Sequence, residues 1–223
     1  MNQQTQRVIW PGPQGAIEAA IDLPPAEARG LALVAHPHPL FGGTLDNKVV
    51  QTIVRAFLQL DQACVRINFR GVGGSAGVHD DGHGELDDLY WALTHAQRII
   101  SAGALAHAPL ALAGFSFGAF VMSHLAARLA AEHRPVSSLT LVGPATSRFR
   151  LAPVPPETFV IHGQDDDTVP LSTVFDWARP QNLPVTVLPG VGHFFHGRLP
   201  QLRDLIVARY RPALSPTLTS PAQ

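Results

Sequence analysis

The chain has 223 residues, of which 46% are hydrophobic and only 15% charged, enough for one folded unit with a large buried core and not the make-up of a disordered chain. Its 16 basic and 17 acidic side chains leave a net charge of −1 with no basic stripe, which argues against nucleic acid as a partner. A lone cysteine, Cys64, excludes an internal disulfide framework, and residues 1–7 lack the apolar core of a secretory signal, so the expected compartment is the cytoplasm.

Residues 6–10 and 16–22 read as an opening pair of strands joined by the turn Pro11-Gly12-Pro13-Gln14-Gly15. Residues 31–35 form the next strand pattern. After the loop that follows it, Val49, Val50, Ile53, Val54, Phe57 and Leu58 fall at helical spacing within 47–60. Residues 64–69 read as a strand, with Cys64 as inert core because no basic neighbour lowers its pKa. The glycine-rich run Phe69-Arg70-Gly71-Val72-Gly73-Gly74-Ser75-Ala76-Gly77 does not open straight into a helix. It therefore reads as a structural turn and not as a dinucleotide fingerprint. A helix over 85–100, a strand over 110–115 and a helix over 117–132 come next.

The stretch 104–122 is nearly uncharged and as long as a membrane span, but His107, Pro109, Gly114 and Gly118 interrupt it. A strand buried on both faces, followed by a buried helix, gives the same reading, so no membrane partner is expected. Strands over 139–142 and 158–162 are separated only by 143–157, with prolines at 144, 153, 155 and 156: a loop, not a lid. A helix near 171–178, a strand over 185–188 and a helix near 199–210 complete the pattern. Alternating short strands and helices indicate a mostly parallel sheet covered on both faces, one α/β domain over 1–211. Residues 212–223, rich in Pro, Ser and Thr, are expected to fray.

Chemistry enters at Gly114-Phe115-Ser116-Phe117-Gly118, a G-x-S-x-G turn between a strand and an apolar helix. A tight reversal there pushes Ser116 Oγ beyond the strand end, and the crowding requires nearly bare residues two before and two after. A serine nucleophile on this architecture needs an acid and then a histidine later in the chain. Asp165, Asp166 and Asp167 follow the 158–162 strand, and spacing from the strand end favours the middle one. His193 follows the 185–188 strand on a loop made flexible by Gly190 and Gly192, and is preferred as base over His196. An oxyanion hole needs two backbone N–H groups. Phe117 supplies one; the loop His36-Pro37-His38-Pro39-Leu40-Phe41-Gly42-Gly43 supplies the other, and since prolines cannot donate, Leu40 is the choice and His38 the runner-up. Phe41, Phe117, Phe194 and Phe195 are candidates to line an apolar acyl pocket or equally to pack the core. His36-x-His38 and His79-Asp80-Asp81-x-His83 lack the spacing of known zinc sites, so no metal is expected there.

Together, His36-Pro37-His38-Pro39-Leu40-Phe41-Gly42-Gly43-Thr44, the glycine-rich 69–77 run, Gly114-Phe115-Ser116-Phe117-Gly118 and His162-Gly163-x-x-Asp166-x-x-Val169-Pro170 resemble the α/β-hydrolase superfamily, and within it the small bacterial hydrolases without a lid. The resemblance implies an eight-stranded sheet, Asp166 as the acid among the three aspartates, and cleavage of small-molecule esters without a cofactor. The expected activity is hydrolysis of short-chain carboxylic esters through an acyl-enzyme. The same residues acting on thioesters, lactones or small peptides, and a fold that only binds a ligand, are the rival readings.

Overall fold

The computed structural model describes residues 5–100, 108–134 and 136–211; the expected fraying tail and the first residues of the 104–122 run lie outside these. In chain order the elements are β1 (Gln6–Gly12), β2 (Gly15–Asp22), β3 (Gly30–Ala35), α1 (Lys48–Leu58), β4 (Gln62–Ile67), α2 (His83–Ile100), β5 (Leu110–Phe115), α3 (Phe117–Ala131), β6 (Ser138–Val142), β7 (Phe159–Gly163), α4 (Leu171–Ala178), β8 (Val185–Leu188) and α5 (Leu199–Tyr210). The eight strands form one sheet in the order β1-β2-β4-β3-β5-β6-β7-β8. β1 and β2 pair antiparallel, as do β2 and β4, and every pairing from β4 to β8 is parallel.

The parallel strands are buried on both faces, which is why they read as continuous apolar runs without alternation. Along β3, Leu31, Leu33 and Ala35 pack on one side with Leu89 and Leu93 of α2 and Met122 and Leu125 of α3. Ala32 and Val34 pack on the other with Val50, Ile53 and Phe57 of α1 and Leu202 and Ile206 of α5. The period-2 alternation thus divides one hydrophobic strand between two cores. No helix of the described residues is long and apolar enough to cross a membrane.

Two boundaries fall inside the sequence expectation, each because a hydrogen-bond partner redirects the chain. α1 begins at Lys48 because Asn47 is its cap, its side-chain oxygen accepting from the Val49 N–H at 2.9 Å. β4 stops at Ile67 because the chain then turns toward the β3 loop: the Asn68 side chain accepts from the Leu45 N–H at 2.8 Å, and the Phe69 N–H donates to His36 Nε2 at 2.9 Å. Between β6 and β7, residues 143–158 form no helix or strand, so nothing is inserted there to cover the carboxyl end of the sheet. That end, beyond β5, β7 and β8, is where the candidate residues converge.

Candidate active site

The β5-to-α3 reversal is built by steric exclusion. Ser116 has φ +56° and ψ −116°, a conformation that L-residues occupy only when the surroundings enforce it. A Cβ on Gly114 would lie 2.3 Å from the Gly118 carbonyl oxygen, and one on Gly118 would lie 2.5 Å from that of Ala35. Both contacts are shorter than real Cβ atoms tolerate, so the two glycines let α3 start against the end of β3. The Ser116 N–H donates to the Val142 carbonyl at 2.9 Å, tying the turn to β6 as well.

His193 Nε2 lies 3.0 Å from Ser116 Oγ, and its Nδ1 lies 2.6 Å from Asp166 Oδ2. The other carboxylate oxygen of Asp166 accepts from the backbone N–H of Val169 at 2.7 Å and of Thr168 at 3.0 Å. Burial alone would raise the Asp166 pKa, but the hydrogen bond from His193 and the backbone donor outweigh it and hold the carboxyl below its ordinary value. An ionised carboxylate accepts only, so Nδ1 carries the imidazole proton and the lone pair of Nε2 faces the hydroxyl. All three side chains are buried, which removes competing water from the two bonds. Of the neighbouring acids, Asp165 and Asp167 are exposed, as is His196.

His162, at the end of β7, backs the carboxylate. Its Nε2 donates to the Val169 carbonyl at 2.9 Å and lies 3.5 Å from Asp166 Oδ2; burial pushes its pKa down. His36 is likewise a fixture of the frame: Nδ1 donates to the Pro37 carbonyl at 2.6 Å while Nε2 accepts from Phe69. Burial lowers its pKa to about 4, so both bonds belong to the neutral ring. Cys64 is fully buried and its thiol pKa is driven well above the ordinary value by burial.

The structure sorts the candidates for the oxyanion hole and the acyl pocket. Leu40 does not present a free donor, because its N–H is given to His38 Nδ1 at 3.2 Å within a single turn of 3-10 helix at residues 39–41, and its side chain is 70% exposed. The N–H groups of Phe117 and His38 have no partner among the described residues. Phe195 does not line a pocket: it has φ +52° and is fully buried in the core with α1 and α5 residues. The Phe117 side chain is also core, leaving only its backbone at the site. Phe41 and Phe194 remain at the rim, 71% and 46% exposed, with Phe194 edge-on to the His193 ring at 5.1 Å. A further pair lay unremarked in the sequence: His79 Nδ1 bonds Glu85 Oε1 at 2.7 Å beside Phe117 and His38. Its one sequence signal was a cluster of polar residues directly before a helix, the same cluster set aside as a poor metal motif.

An eight-stranded sheet with this connectivity, a glycine-flanked serine after β5 and no insertion after β6 define a class, and the chain belongs to the α/β serine hydrolases without a lid. It is similar to XC6422 of Xanthomonas campestris, described as a member of that group, at 35% identity and TM-score 0.83 over 96% of this chain and 99% of the other. An alpha-beta serine hydrolase homologue from Coxiella burnetii matches at 34% identity and TM-score 0.79, over 92% and 97% of the two chains. Among curated proteins, the uncharacterized protein RP471 of Rickettsia prowazekii is 33% identical over 203 residues, 85% of this chain and 82% of that one. No family model matches the chain.

Proposed function

We propose that this hydrolase cleaves short-chain carboxylic esters of small molecules in the cytoplasm, with Ser116 as nucleophile, His193 as general base and Asp166 as the acid that orients it. The continuous chain of contacts from Ser116 Oγ through the imidazole to Asp166, at 3.0 and 2.6 Å, carries the reading. Ser116 Oγ attacks the ester carbonyl while His193 Nε2 takes its proton. The tetrahedral oxyanion receives the N–H of Phe117 and of His38, the runner-up that replaces Leu40 because the Leu40 donor is already engaged. His193 returns the proton to the departing alcohol, leaving an acyl-enzyme. Water, deprotonated by the same nitrogen, then releases the acid and restores the serine.

An exposed rim holding Phe41 and Phe194, with no lid above it, offers apolar contact to a short acyl group and little shelter for a long one. Treatment with a fluorophosphonate is expected to label Ser116 stoichiometrically, and Ser116→Ala to abolish the labelling. Matched oxygen-ester, thioester and amide substrates should be turned over in that order of preference. A folded protein that resists the probe, or one faster on thioesters, contradicts the proposal.

A further inference from the structure

The loop before α2 is pinned from several sides. Arg70 donates from Nε and Nη2 to the Asp88 carboxylate at 2.8 and 3.0 Å, fixing the start of the loop to α2. Glu85, fully buried in the first turn of α2, accepts from the backbone N–H of Asp80 at 3.1 Å and of Gly82 at 2.9 Å, and from His79 Nδ1 at 2.7 Å. With a backbone N–H on each of its oxygens, the Glu85 carboxyl serves as the acceptor of this cluster, and His79 Nδ1 faces it as a further donor. Its Nε2 is buried and makes no hydrogen bond, lying 3.3 Å from Asp81 Oδ1. The ring is thus fixed in plane by one bond and by packing, and its packing partners are specific. Its centroid lies 4.7 Å from that of His38 and 5.4 Å from that of Phe117, while His38 and Phe117 stand 4.9 Å apart. Three rings close a triangle whose other two members carry the backbone donors assigned to the oxyanion.

We propose that His79, held by Glu85, is a positioning residue that sets the spacing of the two oxyanion donors by buttressing the His38 and Phe117 rings. It touches no reacting atom. The inference rests on the serine-hydrolase reading above and adds to it a residue on a separate loop. Donors aimed at a developing charge work through small errors in position, so loss of the buttress weakens transition-state binding and leaves ground-state binding nearly untouched.

Two variants separate the ring from its hydrogen bond. His79→Asn keeps a donor toward Glu85 but removes the ring; His79→Phe keeps a ring and removes the donor. Using a nitrophenyl acetate assay with melting curves for both, we expect His79→Asn to lose about 10- to 100-fold in kcat with KM within about twofold. His79→Phe is expected to stay within about threefold of wild type in kcat. A trifluoromethyl ketone, whose adduct with Ser116 bears the oxyanion, should weaken in parallel with kcat/KM across the variants. The proposal is overturned if folded His79→Asn keeps full kcat, if its loss falls on KM alone, if His79→Phe falls as far as the Asn variant, or if ketone affinity does not follow kcat/KM. Should His79→Asn not fold, His79→Gln takes its place as the variant without a ring, with the same expected loss in kcat and the same overturning results. Failure of the wild-type protein to react with a fluorophosphonate overturns the underlying hydrolase reading instead, and this inference with it.

Discussion

At Ser116 the backbone carries the strain and the flanking residues make it affordable in space. The His193 and Asp166 side chains beside it are then fixed by ordinary hydrogen bonds. Asp166→Asn keeps the shape but can donate to Nδ1, which favours the wrong imidazole tautomer; kcat for nitrophenyl acetate is expected to fall roughly 10⁴-fold in a protein that still folds. The depressed pKa of Asp166 makes its ionised form a stabilising one. That contribution is complete above the carboxyl's unfolded value and is lost as the pH falls through its lower folded value. His36 works in the same direction by the opposite chemistry. Its folded pKa of about 4 lies below the ordinary 6.5, so between those values the unfolded chain binds a proton that the folded one refuses. Stability therefore rises with pH across that window, by up to about 3 kcal/mol from this one ring. Urea denaturation of wild type and His36→Gln across the window should show a shallower slope in the variant; equal slopes would remove His36 as the cause.

At the scale of elements, the joint between β3, β5 and α3 determines whether a site exists at all. Gly118→Ala would drive a methyl into the Ala35 and His36 carbonyls at 2.5 and 2.6 Å, contacts between backbones that have no flexible end to yield. A destabilisation of about 2 kcal/mol or more is expected, with activity lost before the fold. Gly190 gives the contrast. It has φ +68° but nothing within 4 Å of a built Cβ, so Gly190→Ala should cost only the left-handed strain, about 1 kcal/mol. Chemical denaturation of the two variants checks both numbers, and a milder Gly118 variant would contradict the steric account of the elbow. Element identities were readable from apolar periodicity. The start of α1 was set locally by its Asn47 cap, whereas β4 ends where a partner remote in sequence takes over, Phe69 leaving the sheet to bond His36.

For the molecule as a whole, the decisive trait is what is missing over the carboxyl edge of the sheet. Residues 143–158 pass from β6 to β7 with no helix, and the aromatic side chains at the rim face solvent. In a nitrophenyl-ester series, kcat/KM is expected to be highest for acetate and butyrate and to decline through octanoate and laurate. A maximum at laurate would mean that something else shelters a long chain. The sequence by itself determined the class of fold, the order of the candidate serine, carboxylate and histidine along the chain, and the loops that bear them. Those follow from local chemistry: glycine where a Cβ cannot fit, apolar period, and the donors and acceptors each residue type owns. Only the tertiary structure decided which candidates meet. It brought Asp166 to His193 and left its neighbours in solvent, engaged the Leu40 N–H elsewhere, buried Phe195, and set His79 against His38 and Phe117. The reason is that each of these depends on the direction a side chain or N–H takes once distant loops are packed together, and no local pattern records that direction.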